Sequence, residues 1–472
     1  MKTLLNQEWL LFRKSPGNIL LIAILLGMSI IAAINGIIHV SQQRAVVQQA
    51  VTADIKKYEQ LKTNLNAYLN GELEAQEFYN PSAAYQNIAP RTLVPEPPEL
   101  SVLSAAEVRP TPLLLKIGMQ TRHKDPQPSL EDPVNRLDGP FDLVFIATWI
   151  VPLFVIFWGF DVMARDREQS SASLLANQRS LRSIIIARLL IRFIVILSIV
   201  GGVATCAVLL TEYRSLTTAL PALIVWITGL SMTILFWSVI AAMVSAKAQN
   251  TAQASLQLLC CWIVIAILMP ALSGVVVKQL APPPNHLERV IKHRDISNDL
   301  NQRRYEITEE YYRKRPQNKP IRQGNEYEQY FVKEFYPRSL AFDLAFSPLA
   351  LKYEKQRIKH VEVMRLLSVF SPPLGLKMLT EDLAGSAPQR RLSFLQSVDS
   401  FQTDLRNHFD FKLASMRPLS VKDIDSMPQY SIAPETVSSR WGRVIKSLGL
   451  ILLPLILLML VAKRMLGRVT PY

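Results

Sequence analysis

Apolar residues along this chain gather in six dense runs, separated by polar stretches of very unequal length. The runs are Ile19–Val40, Phe141–Val162, Ile184–Leu210, Ala219–Val244, Leu256–Val277 and Val444–Ala462. Each has roughly the 17–25 residues an α-helix needs to cross a hydrocarbon core about 30 Å thick. A helix pairs its own backbone donors and acceptors, which is required where no water reaches them. The pattern predicts an all-α polytopic membrane protein with six transmembrane helices. Spans three to five follow one another closely in residues 184–277, whereas residues 41–140 and 278–443 are long polar insertions.

The first insertion opens without a break from the first run. No proline occurs from Ser41 to Gln76, and Val47, Val51, Ile55, Tyr58, Leu61, Leu65 and Leu69 recur at steps of three and four. That is one apolar helix face. About 35 such residues project roughly 50 Å. Beyond Asn80-Pro81 the pattern fails. Pro90, Pro95, Pro97, Pro98, Pro110 and Pro112 predict an extended, irregular stretch, with Leu113–Ile117 as a strand or a packed turn. In the second insertion, Pro282, Pro283 and Pro284 precede a helical pattern over Asn285–Arg313, with Leu287, Val290, Ile291, Ile296, Leu300 and Ile307 on one side. More helix is expected at Tyr353–Leu367 and Leu392–Leu413, with turns at Ser371-Pro372-Pro373 and Gly385. The two insertions are expected to pack together as one mostly helical extracytoplasmic domain.

Orientation follows from the short basic segments beside the runs. Lys2, Arg13 and Lys14 lie in the leader, residues 1–18. Arg165, Arg167, Arg179 and Arg182 lie in residues 163–183, Lys247 in the loop between spans four and five, and Lys463, Arg464 and Arg468 in the tail, residues 463–472. Six spans put all four segments on one side, expected to be the cytoplasm, with both termini there. The loop Thr211–Thr218, with Glu212 and Arg214, falls outside with the insertions. The first run exceeds the 7–15 residues of a signal-peptide core and reads as an uncleaved anchor.

A hydrophobic share of 49% fits this picture despite the polar insertions. The net charge of +14 does not point to nucleic acid, because much of it lies beside the spans and no aromatic-basic module accompanies it. The three cysteines, Cys206, Cys260 and Cys261, all lie in spans, so no disulfide scaffold is predicted, and the adjacent pair reads as small apolar packing. Six dispersed histidines make no metal motif, and neither a Walker A sequence nor His-Glu-x-x-His nor Cys-x-x-Cys is present. The span interiors carry almost no ionisable residues. Asp142 and Asp161 stand at span ends, and Arg188 and Arg192 read as snorkelling from the entry of span three. Proton- or sodium-coupled transport and intramembrane proteolysis both need buried polar groups that this pattern lacks. Energy for any movement must then come from a partner.

Several stretches together carry a resemblance. They are Asn6-Gln7-Glu8-Trp9-Leu10-Leu11-Phe12-Arg13-Lys14-Ser15-Pro16, then Leu137-Asp138-Gly139-Pro140-Phe141-Asp142, then Gly159-Phe160-Asp161-Val162-Met163-Ala164-Arg165-Asp166-Arg167-Glu168-Gln169-Ser170-Ser171-Ala172-Ser173-Leu174-Leu175. The stretch from Ser371-Pro372-Pro373 to Phe401 adds to them. The chain resembles the permease subunit of a type-2 ABC transporter, in the poorly characterised subgroup with two large extracytoplasmic insertions. The family's cytoplasmic motif is glutamate-arginine-glutamate-x-glycine-threonine followed by leucines. Here Asp166, Arg167, Glu168 and Gln169 match or nearly match, while Ser170 and Ser171 replace the glycine and threonine and Ala172 a leucine. The family's following proline is absent, and Gln178-Arg179-Ser180 occupies the region.

The resemblance implies an ATPase-coupling helix at Asp166, Arg167, Glu168, Gln169, Leu174 and Leu175. It also implies an interfacial elbow at Glu8, Trp9, Phe12 and Arg13. On their own, Arg167–Leu175 read as a short helix with charges on one face and leucines on the other, able to press on a soluble partner. The implied partners are a soluble ABC ATPase subunit, a second permease copy or paralogue, membrane lipid and an extracytoplasmic protein, but no nucleic acid. The implied place is a bacterial inner membrane, with no cofactor and no enzymatic activity in this chain. Two rival readings remain: a membrane-anchored scaffold whose outer domain binds envelope proteins, and a membrane enzyme using Asp142, Glu288 and His286.

Overall fold

The computed structural model describes residues 2–70, 91–93, 100–104, 115–119, 141–171, 180–212, 216–321, 323, 326–417, 420–430 and 437–466. The chain begins with α1 (Lys2–Lys14) and α2 (Pro16–Leu69), followed by a short antiparallel pair, β1 (Arg91–Leu93) and β2 (Leu115–Ile117). Then come α3 (Leu143–Glu168), α4 (Leu181–Thr211), α5 (Leu216–Lys247) and α6 (Thr251–Leu280). The second insertion contributes α7 (His286–Gln302), α8 (Arg304–Lys314), α9 (Tyr336–Leu367), α10 (Pro372–Leu383) and α11 (Pro388–Ala414), and α12 (Val437–Leu466) closes the chain. Among the described residues six helices, α2 to α6 and α12, are long and apolar enough to cross a membrane, in register with the six hydropathy runs.

Two boundaries move. The first span and the first insertion's helix form one unbroken rod of 54 residues, α2. Helical structure continues from span two, past a break at Phe160, to Glu168. Leu113–Ile117 resolves as a strand over its last three residues.

Three wide, π-helical turns interrupt the helices, at Ile146–Ile150, Ile263–Leu268 and Phe331–Phe335. Each ends two residues before a proline: Pro152, Pro270 and Pro337. A proline has no N–H, and its ring crowds the carbonyl four residues back, so the preceding turn opens. In the third case the freed carbonyl of Lys333 accepts a hydrogen bond from the Thr308 hydroxyl.

Helix α5 lies at the centre of the bundle. Trp226, Leu230, Ile234 and Trp237 on it are fully buried, and it packs on α3, α4, α10 and α12. By contrast α6 presents Leu256, Leu259, Ile263, Ile267, Leu272 and Val275 outward, as a lipid-facing helix does. Cys260 is exposed on the same helix, so the expected packing role is confined to Cys261.

The turn expected at Ser371-Pro372-Pro373 is instead a helix start. Both prolines occupy the first turn of α10, where a missing N–H leaves no intrahelical bond unmade. This 12-residue helix inserts between α5 and α12. A Cβ on Gly375 would stand 2.8 Å from Ile451 Cγ1, and one on Gly229 would stand 2.5 Å from Leu379 Cδ2, so α10 approaches both neighbours closely at glycines, and at Gly229 the Leu379 methyl would have to shift. The Trp226 indole N–H donates to Thr380 Oγ1 at 3.0 Å. At the helix's far end Asp382 is held by Arg365 and Arg443, and Arg365 also donates to Ser447 Oγ at 2.5 Å. Arg365, Asp382 and Arg443 are all buried.

The two insertions share cores. Leu61 and Leu65 of α2 join Tyr311, Phe331, Tyr336, Leu405, Phe409 and Leu413. Leu93, Leu115 and Ile117 of the strand pair cover Phe394, Val398 and Phe401 of α11, and Gln402 Nε2 donates to the Gly118 carbonyl at 2.8 Å. Beside the first of these cores Asp410 accepts hydrogen bonds from Tyr311 (2.7 Å), Tyr336 (2.8 Å) and Asn318 (2.7 Å). Burial, and then the Asp410 carboxylate, push both phenols above their ordinary pKa, so both stay neutral donors.

Candidate functional site

The elbow and the coupling residues, singled out separately in the sequence, meet at one side chain. Arg188 of α4 donates through Nε to Glu8 Oε1 and Oε2, both at 3.2 Å, and through Nη1 to Asp166 Oδ2 at 2.5 Å. The same nitrogen reaches the Val162 carbonyl at 2.5 Å. One turn along α4, Arg192 Nη2 donates to Asp161 Oδ1 at 3.1 Å. Two arginines four residues apart share a helix face, and here that face ties α1 and the end of α3 to α4. The expected snorkelling of Arg188 and Arg192 is therefore corrected. Their side chains are 16% and 15% exposed, because nearby carboxylates hold them inside the protein.

The same end of α3 also grips the loop after α5. Arg167 Nη1 donates to the Ala248 carbonyl at 3.1 Å. Glu168 Oε2 accepts from Thr251 N at 3.1 Å and from its hydroxyl at 2.7 Å. Thr251 is the first residue of α6, and Asn250 caps that helix by accepting from Gln253 N. Glu168 thus places a carboxylate where a helix N-terminus offers unpaired donors and a positive dipole end. Behind it, Ser245 of α5 donates to the Phe160 carbonyl at 3.1 Å and accepts from Met163 N and Ala164 N, bracing the break in α3 at Phe160.

Helix α1 is seated by its apolar side. Phe12 is buried against Trp158 in an edge-on contact with ring centroids 5.5 Å apart, and Leu4 packs on Ile184 and Ala187. Asn18 Nδ2 donates to the Phe12 carbonyl at 3.0 Å across the bend at Ser15. Trp9 stacks on Phe12 but stays largely exposed, as does Arg13.

The helix expected across Arg167–Leu175 is not continuous. It ends at Glu168, followed by Gln169 as its cap. Ser171 N donates back to the Asp166 carbonyl at 2.8 Å and Ser170 N to the Arg167 carbonyl at 2.9 Å. This double closure requires a left-handed residue next after the cap, and Ser170 supplies it with φ 57°. Ser170 is the position where the resembled motif has glycine, the residue that adopts this conformation without steric cost. Leu174 and Leu175 lie outside the described residues.

The residues of the membrane-enzyme reading have separate occupations. Asp142 caps the start of α3, accepting from Phe145 N at 2.8 Å, and Glu288 pairs with Lys292. The side chain of His286 lies outside the described residues.

Sequence reasoning passed over Arg188 as a hub, as well as Thr251, Ser245 and the buried Arg365–Asp382–Arg443 cluster. The pairing of Arg188 and Arg192, four residues apart, with Asp161 and Asp166 in the preceding segment was the available signal.

Residues 286–433 match a protein family described as a domain of unknown function (DUF3526). The match covers α7 to α11 and none of the residues around Arg188. No curated protein and no solved structure matches the chain.

Proposed function

We propose that the chain is the membrane-spanning permease subunit of an ABC exporter, or of an ABC machine doing mechanical work, with ATP hydrolysed on a separate subunit. The observation that carries this reading is the convergence of Glu8 and Asp166 on Arg188. A soluble motor pressing on the exposed turn at Gln169–Ser171 would bear at once on α1, α3 and α4, and through Glu168 and Thr251 on α6. Helix α2 then transmits tilt without a joint, because it is one rod from Pro16 into the insertion core at Leu65. In this reading the end bearing Arg188 is cytoplasmic, the insertions are extracytoplasmic, the membrane is a bacterial inner membrane, and a second permease copy or paralogue completes the pathway.

Mild-detergent purification from native cells tests the reading. A stoichiometric Walker-containing subunit with vanadate-sensitive hydrolysis is expected. Glu168→Lys is expected to reduce that hydrolysis severalfold, since it reverses the charge at the start of α6. Recovery of envelope proteins without any ATPase would favour the second reading, a membrane-anchored scaffold. One observation favours that scaffold: the recognised domain family is confined to the second insertion.

A further inference from the structure

An open groove runs between α7 and α9. Its floor is apolar, formed by Ile296, Ala345, Pro348 and Leu349 around a cavity of about 470 Å³. A second hollow of about 390 Å³ continues it along α9, sharing Pro348 and Lys352. Lys292, Lys352, Lys355 and Lys359 form the rim. Lys352, Lys355 and Lys359 fall at steps of three and four, which puts them on one helix face, and all three are exposed. The carboxylates facing this rim are Asp295, which lines the first hollow, and Glu288, which is already paired with Lys292 at 2.5 Å.

The height of the groove is fixed by one hydrogen bond. His360 Nδ1 donates to the Ala281 carbonyl at 2.7 Å, and Ala281 directly follows the last residue of α6. Lys359 therefore stands level with the end of a membrane helix. Lys352 lies about 10 Å further along α9, at 1.5 Å per residue. Exposed Leu280, Leu287 and Ile291 extend the lipid-facing side of α6 toward the groove. The lysines rise from the end of α6 and the apolar floor continues beyond them, with Leu349 and Ala345 about 15–21 Å along α9 from Lys359, which fits an anionic phospholipid lifted part-way from the leaflet: phosphate on the lysines, one acyl chain drawn up along the floor. A neutral lipid would leave the lysines unused, and nothing in the groove offers the hydrogen-bonding edge that an extended peptide needs.

We propose that the groove between α7 and α9 seats an anionic phospholipid from the adjoining leaflet, with its phosphate among Lys352, Lys355 and Lys359 and an acyl chain along Ile296, Ala345 and Leu349. The site requires only that α6 cross the membrane. It stands whether or not an ATPase drives the chain.

The test uses the full chain alone in lipid nanodiscs, with no ATPase present, so its outcome does not depend on the permease reading. The probe is phosphatidylglycerol with a photoactivatable acyl chain, and the readout is the labelled peptide. Labelling is expected in residues 286–302 and 336–360. It should fall about fivefold for each lysine replaced in the series Lys352→Gln, Lys355→Gln, Lys359→Gln, the attraction expected of one cation at an anionic surface. Ala345→Trp, which fills the floor and leaves the charges in place, should also abolish it. These exposed positions permit replacement without unfolding, and an unchanged melting temperature verifies each variant. Equal labelling by phosphatidylcholine carrying the same probe would overturn the proposal. Labelling confined to α6 and α12, or unaffected by either kind of variant, would overturn it as well.

Discussion

Two arginine-centred clusters hold opposite ends of the helical bundle, and they invert each other. Around α10 the buried carboxylate of Asp382 sits between two guanidiniums, Arg365 and Arg443, with Glu362 at the edge 3.6 Å from Arg365. At the other end one guanidinium, Arg188, sits between two carboxylates, Glu8 and Asp166. The first is dry: Arg365 is 1% exposed and Asp382 fully buried. The second is partly wet, with its three side chains 14–16% exposed. A dry pair cannot be opened without leaving a bare charge, whereas a partly wet one can exchange a partner for water at modest cost. The first therefore resists opening, and the second is the cheaper of the two to open.

Three substitutions sharpen this contrast. Asp382→Ala leaves two buried cations without their shared anion and is expected to destabilise the chain by about 3–5 kcal/mol, the loss typical of breaking a buried pair from one side. A thermal melt in detergent checks this, and a loss below about 1 kcal/mol would show that water reaches the cluster. Arg188→Lys keeps the charge but loses the planar fork that serves Glu8, Asp166 and the Val162 carbonyl together. It should cost about 1–2 kcal/mol and release α1, seen as faster amide exchange over residues 2–14. Exchange unchanged there would mean that Phe12 and Leu4 alone seat the helix. Ser170→Gly is the smallest effect and has the opposite sign. Relieving one left-handed serine should stabilise the chain by about 1 kcal/mol, and a lower melting temperature would show that the serine's side chain compensates for its backbone.

The sequence and the structure agree where local pattern decides the outcome. Long apolar runs fix six spans because a bilayer leaves the backbone no alternative to helix. The step of three and four in Val47 to Leu69 gave the long extension of α2, because solvent-exposed amphipathic helices carry their period openly. Agreement fails where partners lie far apart in sequence. Helix α10 was hidden behind Ser371-Pro372-Pro373, since prolines read as a turn unless something outside the segment gives the following residues a face to bury. Arg188 looked like an interfacial cation, because Glu8 lies 180 residues away from it along the chain. Ser170 is the intermediate case. Its departure from the glycine of the resembled motif was legible, but the left-handed backbone that gives the departure meaning was not.

Helix α10 also imposes an order on biosynthesis. Its seat is formed by α5 on one side and α12 on the other, and α12 is made after α10. Until residues 437–466 emerge, Leu376, Leu379 and Leu383 lack part of their burial surface, and Asp382 lacks Arg443. Docking of α10 must therefore wait until α12 has been made. Helix α12 thus completes the seat: a chain cut before it would expose the apolar side of α10, the kind of surface that quality-control proteases recognise.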